Sequence, residues 1–190
     1  MSSPKLKIAV IFGSAREQRF GDVIGKWLAT RLGQHAEIEV SFVDPREMDI
    51  SIRHQSDTPS ARQLRASLDA ADGFIVLTPE YNHSYPAALK AMLDLAYREW
   101  QAKPVAFVSY GGVSGGLRAV EQLRLVFAEL HAMTVRDGVS FANAWDFLAD
   151  GEFNPPAKNE AALSLMLERL IWWAGALKAA REQKPYQKAA

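Results

Sequence analysis

Cysteine is absent from the 190 residues, which excludes disulfides, thiol nucleophiles, cysteine-ligated metals and iron–sulfur clusters. Net charge is absent as well. Lys plus Arg and Asp plus Glu number 22 each, so no overall field draws the chain toward nucleic acid or an anionic membrane. No apolar run is long enough to span a bilayer, and Met1-Ser2-Ser3-Pro4-Lys5 leads into the first strand without a removable apolar leader. Two phosphate signatures are missing too: the P-loop with its Lys-Ser/Thr ending, and GxGxxG. Together these absences argue against a nucleoside triphosphatase and a standard dinucleotide fold. They leave a cytoplasmic protein with small-molecule partners as the expectation, without nucleic acid or membrane insertion. The length suits one domain over residues 1–190, with 184–190 a frayed tail.

What is present begins with Leu6-Lys7-Ile8-Ala9-Val10-Ile11-Phe12, an almost continuous apolar run read as a strand buried on both faces. It stops in Gly13-Ser14-Ala15-Arg16-Glu17-Gln18-Arg19-Phe20-Gly21 and then opens a helix. Gly13 permits a sharp turn, Ser14 offers a hydroxyl, the first helical turn offers unpaired N–H groups, and Arg16 and Arg19 offer fork-shaped cations. That donor set suits a phosphate, and without the triphosphate signatures a mononucleotide such as FMN. The loop alone leaves open a plain strand–helix turn with solvated arginines.

The rest of the chain alternates. Val23, Ile24, Trp27, Leu28 and Leu32 recur at helical spacing, and Ile38, Val40 and Phe42 alternate with polar residues as an edge strand does. A polar loop over 44–59 offers Met48, Ile50 and Ile52 as anchors, and Ser60-x-x-Gln63 reads as a capping box opening a helix to about Ala71. Two further buried strands follow, Gly73–Thr78 and Val105–Tyr110. The first ends in Pro79-Glu80-Tyr81-Asn82-His83-Ser84-Tyr85-Pro86 before a helix over Ala87–Trp100, and the second in Gly111-Gly112-Val113-Ser114-Gly115-Gly116 before another helix. A weak strand over Thr134–Phe141 around Asp137-Gly138, a loop over 143–156 and a helix over Asn159–Ala180 complete the pattern.

Five strands alternating with helices require an α/β fold with a parallel sheet. With the three most apolar strands central, the order 2-1-3-4-5 follows, a flavodoxin-like three-layer sandwich. That order brings the loops at Gly13–Gly21, Thr78–Tyr85 and Ser109–Gly116 to one rim.

The segments Gly13-Ser14-Ala15-Arg16, Thr78-Pro79-Glu80-Tyr81-Asn82-x-Ser84-x-Pro86 with Leu89-Lys90, and Ser109-x-Gly111-Gly112-x-x-Gly115-Gly116-x-Arg118-Ala119 together resemble the NAD(P)H-dependent FMN reductases, flavodoxin-like proteins that include quinone, azo-dye and chromate reductases. The resemblance implies that Ser14 and Arg16 hold the FMN phosphate, with Arg19, Phe20 and Gly21 standing where many members carry a serine and an asparagine that contact it. It implies that Pro79, Glu80, Tyr81 and Asn82 line the isoalloxazine, and that Ser109, Gly111, Gly112, Ser114 and Gly115 approach its pyrimidine end. There the dipole of the following helix would help to hold negative charge.

The implied activity is FMN-dependent, ping-pong transfer of two electrons from NADPH or NADH to a small-molecule acceptor such as a quinone, FMN, an azo compound or chromate. The flavin N5 would carry the chemistry, without a catalytic side chain or metal. An electron carrier or regulatory flavin module without NAD(P)H turnover is the alternative, which the balanced charge weighs against. The helix after Pro86 is apolar nearly all round, so a second subunit is expected on its outer side, in a homodimer or homotetramer.

Overall fold

The computed structural model describes residues 4–50, 53 and 55–186. Ile52, expected as a loop anchor, lies outside them, as do residues 187–190 of the expected tail. The central strands are β1 (Leu6–Phe12), β3 (Gly73–Pro79) and β4 (Pro104–Gly111), with β2 (Ile38–Val43) at one edge and β5 (Met133–Thr134) at the other, in the order β2-β1-β3-β4-β5. A further strand, β6 (Val139–Ala142), also pairs with β4, and every pairing in this sheet is parallel.

Side chains alternate across each strand and build a core on each face. Ile8, Val10, Ile75, Leu77, Ala106 and Val108 pack with Ile24, Leu28 and Leu32 of α1 (Gly21–Leu32) and with Leu163, Leu167 and Leu170 of α5 (Ala157–Gln183). Ala9, Ile11, Phe74, Val76, Val105 and Phe107 face Leu64 and Leu68 of α2 (Pro59–Ala70), Leu89 and Met92 of α3 (Ala87–Asp94), and Leu123 and Phe127 of α4 (Leu117–Glu129). Each fully buried Leu, Ile or Phe stabilises the fold by about 1.5–3 kcal/mol, which is why strands this apolar occupy the centre.

Five local expectations are corrected. The helix after Pro86 stops at Asp94, and the chain turns through a 3₁₀ turn at Arg98–Trp100. This seats the fully buried Trp100 against Phe74 at 4.8 Å and Phe127 at 5.5 Å between ring centroids. The outer side of α3 is covered within the chain, because Leu89, Ala91, Met92 and Leu93 are buried and Met48 and Ile50 pack on the same cluster. It therefore gives no reason to place a second subunit there.

Helix α2 is capped by Thr58, whose Oγ1 accepts the Ala61 N–H at 3.1 Å, with Pro59 in its first turn. Ser60 instead accepts the Asp49 N–H at 3.0 Å. The last strand is split: Thr134 faces Val105 and Val139 faces Val108, so β5 to β6 takes two residues more than β4 over the same stretch. The loop over 143–156 holds a 3₁₀ turn at Ala144–Phe147 and the hairpin strands β7 (Leu148–Ala149) and β8 (Glu152–Phe153).

Among the described residues no helix is long and apolar enough to cross a membrane.

Candidate functional site: three loops joined at the strand ends

Register brings the loops to one end of the sheet. Phe12 pairs with Leu77 and Pro79 with Tyr110, so the first loop starts at Gly13, two residues earlier along the sheet than the level of Glu80 and Gly111, and all three open at its carboxyl end. Gly13 N–H donates to Leu77 O at 2.8 Å, and a Cβ on Gly13 would stand 2.9 Å from Thr78 Oγ1. A glycine is needed for that approach.

In the first loop Ser14 is buried, and its Oγ lies 2.7 Å from the Tyr81 hydroxyl while accepting the Arg16 N–H at 3.4 Å. The Arg16 guanidinium carbon sits 3.9 Å from the Tyr81 ring centroid. Among the described residues Arg16 has no carboxylate partner, and the exposed amides of Ala15, Glu17 and Gln18 have no backbone acceptor. A hydroxyl, a stacked cation and exposed N–H groups within five residues form a donor set suited to an anion.

Arg19 is placed differently from expectation. Its side chain is 1% exposed, and its fork donates to both carboxylate oxygens of Asp44, to Asp22 at 2.8 Å and to Ser14 O at 2.5 Å. Burial lowers the guanidinium pKa, but the hydrogen bonds and charges of Asp44 and Asp22 outweigh it and hold the group more firmly protonated than usual. The Arg19 fork has no direction left for a phosphate; it braces the loop from behind. The Phe20 ring packs near Tyr110 and Phe153, with centroids 6.2 and 5.9 Å away. Gly21 lies so close to Tyr110 that a Cβ would stand 2.8 Å from its hydroxyl. Burial, reinforced by the nearby Tyr81, keeps the Tyr110 phenol protonated.

The second loop is a tight turn. Tyr81 N–H donates to Ser84 O at 2.9 Å and Ser84 N–H to Tyr81 O at 3.1 Å, with Asn82 and His83 between them at φ 49° and 70°. Two left-handed central residues make a type I′ turn, for which asparagine is well suited. Gln122 of α4 holds it, donating to His83 O at 2.8 Å and accepting from the Ser84 hydroxyl at 2.6 Å. Pro79 is buried at the end of β3.

The third loop folds back on itself. Gly115 N–H donates to Gly112 O at 3.0 Å, while the Ser109 and Ser140 hydroxyls both donate to Gly115 O at 2.9 Å. The Ser109 hydroxyl gives its proton to Gly115 O, so it shapes the turn from within. Gly115 and Gly116 have φ of 61° and 86°; a Cβ would come within 2.9 Å of Ala142 N at the first and 2.8 Å of Tyr110 N at the second. Gly112 is unlike them. The nearest atom to an added Cβ is Trp145 Cη2 at 3.9 Å, which leaves its backbone approachable.

Glu80 joins the second and third loops. Its carboxylate accepts the Ser114 hydroxyl at 2.6 Å, the Arg118 N–H at 3.2 Å and the Arg118 guanidinium at 3.0 Å. Burial raises its pKa, but these hydrogen bonds and the Arg118 charge prevail, holding it below the usual glutamate range and ionised at neutral pH. The amino end of α4, expected to offer its dipole to a ligand, is thus capped by a carboxylate of the same chain. Gln122, Asp22 and Asp44 belong to this arrangement through their hydrogen bonds, and Trp145 through its closeness to Gly112, and none of them carries a motif.

The model of the NADPH-dependent FMN reductase family matches residues 6–146, which contain all three loops. The chain belongs to that family. It is 34% identical over 120 residues to an NAD(P)H-dependent FMN reductase of Schizosaccharomyces pombe, a match covering 58% of this chain but only 60% of that relative, less than two thirds of its length. It is 36% identical over 133 residues to a 2-hydroxy-1,4-benzoquinone reductase of a Burkholderia species, covering 66% of this chain and 72% of the other. FerB, a flavoenzyme NAD(P)H:(acceptor) oxidoreductase of Paracoccus denitrificans, superimposes with a TM-score of 0.71 at 22% identity, over 90% of this chain and 98% of its own. At that identity the likeness establishes the shared fold. The family match ends at Asp146, so α5 lies outside it.

The residues present fit an FMN. The groups suited to an anion are Ser14, Arg16 and the amides between them and α1, and the approachable backbone is that of Gly112, with the Tyr81 turn lying between the two.

Proposed function

We infer that this chain is an FMN-dependent oxidoreductase that takes a hydride from NAD(P)H and passes two electrons to a small planar acceptor of the quinone class. The carrying observation is the continuity of the rim: Ser14 bonded to Tyr81, and Glu80 beside Tyr81 bonded to Ser114 and Arg118, so one ligand can span phosphate donors and glycine turn. Bound FMN would supply a reversible hydride acceptor at N5.

The chain's own groups position and shield. In this reading Ser14 and Arg16 bind the phosphate, Tyr81 and the type I′ turn orient the ring system, and the Gly111–Gly112 backbone admits its pyrimidine edge. No side-chain acid is required, in keeping with a rim whose Glu80 carboxylate is fully engaged. Donor and acceptor would use one exposed face in turn, so double-reciprocal plots should give parallel lines. The reading includes a cytoplasmic homodimer or homotetramer, for which the exposed Leu117 and Leu125 on α4 and Trp172 on α5 offer apolar surface.

Anaerobic mixing tests it. FMN-loaded protein should lose its yellow colour with NADPH or NADH and regain it with a benzoquinone; a flavin colour indifferent to both nucleotides overturns the enzyme reading.

A further inference from the structure

Glu80 is a buried, ionised carboxylate at the back of the glycine turn. Its side chain is 8% exposed, its Cβ lies 3.6 Å from where a Cβ on Gly111 would stand, and its partners are the hydroxyl of Ser114 and the main chain and guanidinium of Arg118. Three fixed charges therefore meet at this end of the rim: the partial positive end of α4, the Arg118 cation and the Glu80 anion. The two full charges are unequally screened, because the Arg118 side chain is 50% exposed and that of Glu80 is 8% exposed. Water weakens the field of the exposed cation more than that of the buried anion.

A cap alone does not require this arrangement. A serine or asparagine would satisfy the same helix N–H without a buried charge. The carboxylate costs desolvation free energy, which the ion pair and hydrogen bonds offset. Its distinct consequence is electrostatic.

We propose that the Glu80–Arg118 pair sets the reduction potential of the bound flavin, Glu80 lowering it and Arg118 raising it, with neither residue touching the reacting atoms. This rests on the reading of the rim as an FMN seat with the pyrimidine edge at Gly111–Gly112. Reduction adds negative charge at that edge. A buried anion behind the glycine turn opposes the added charge, while the cation and the helix end favour it. Both residues are positioning residues whose charge balance acts through the Gly111–Gly112 turn.

The test uses wild type, Glu80→Gln, Arg118→Gln and the double variant. Glutamine at position 80 keeps an acceptor for Ser114 and for the Arg118 N–H while removing the charge. Each protein is loaded with FMN, uptake is measured by quenching of flavin fluorescence, and the midpoint potential of the bound flavin is read by anaerobic spectroelectrochemical titration. Glu80→Gln should raise the potential and Arg118→Gln should lower it. Each should change the reduced-to-oxidised ratio about tenfold, or about 30 mV for a two-electron couple. The double variant should return toward wild type.

Opposite shifts are not what a merely structural role produces. Potentials unchanged in both single variants, or moved in the same direction, overturn the proposal while leaving the FMN reading intact. Wild type that takes up no FMN overturns both. Should Glu80→Gln fail to hold FMN, Arg118→Gln decides alone: a lowered potential supports the proposal and an unchanged one overturns it.

Discussion

The Tyr81 hydroxyl and Ser14 Oγ stand 2.7 Å apart although 67 residues separate them in the chain, and Arg16 stacks on the same tyrosine ring at 3.9 Å. One aromatic side chain thus ties the phosphate-type loop after β1 to the turn after β3. Replacing it with Phe keeps the ring and removes one hydrogen bond. Tyr81→Phe should therefore cost about 1 kcal/mol in stability by denaturant unfolding and weaken FMN binding several-fold by fluorescence titration. Tyr81→Ala also removes the platform for Arg16 and should weaken binding further.

Arg19 and Asp44 form a pair with side chains 1% and 12% exposed. Removing Arg19 takes away the bidentate partner of Asp44 and leaves it only Arg46, so Arg19→Ala should destabilise the fold by roughly 2 kcal/mol, read from urea midpoints. Arg16→Ala, at an exposed position without a carboxylate partner among the described residues, should leave stability within about 0.5 kcal/mol of the parent and weaken FMN more than riboflavin. Equal stability losses in the two variants would contradict the separation of brace from ligand.

The same pair gives an acid dependence. For Asp44, burial raises the pKa, but hydrogen bonds from Arg19 and Arg46 and their charges bring it below its ordinary value of 3.8. A carboxyl with a depressed folded-state pKa contributes stability that is present above its unfolded pKa and lost as pH falls through the folded one. Wild type should therefore lose stability below that ordinary value, and Asp44→Asn should lose less over the same acid range. Thermal midpoints across acid buffers check this.

The glycine turn separates fold from site. Gly116→Ala places a Cβ at φ 86° and 2.8 Å from Tyr110 N, and should cost roughly 3 kcal/mol or more. Gly112→Ala meets nothing nearer than Trp145 Cη2 at 3.9 Å, so it should fold with near-parental stability and lose FMN affinity. Gly112→Ala with parental affinity would exclude the Gly111–Gly112 backbone from the seat.

Strand order was legible because the pattern is strong at both levels: three apolar runs must be central, and the one alternating run must be an edge. The halt at Asp94 was not. The apolar residues of Leu95–Trp100 fit helical spacing equally well, and only the pull of Trp100 into the core against Phe74 decides otherwise. Thr58 outcompetes Ser60 as a cap because Pro59 fits the first turn, a local competition that spacing alone leaves undecided.

At the site, the glycines and the Tyr81 turn were readable from residue type. The partners of charged side chains were not, because an arginine reads the same whether it faces a phosphate or a carboxylate. Arg19 finds Asp44 from across the β2 edge, and the carboxylate of Glu80 finds Arg118 at the start of α4, pairings fixed by the sheet register.

The most direct test of the account is titration of flavin-free protein with FMN and with riboflavin, in wild type and in a Ser14→Ala/Gly112→Ala double variant that alters the first and third loops. The account predicts one FMN per chain at about micromolar affinity or tighter, at least about tenfold weaker binding of riboflavin, and at least about tenfold loss of FMN affinity in the double variant. Wild type that takes up no FMN at such concentrations, or a double variant that binds it as well as wild type, would contradict a seat built from these loops.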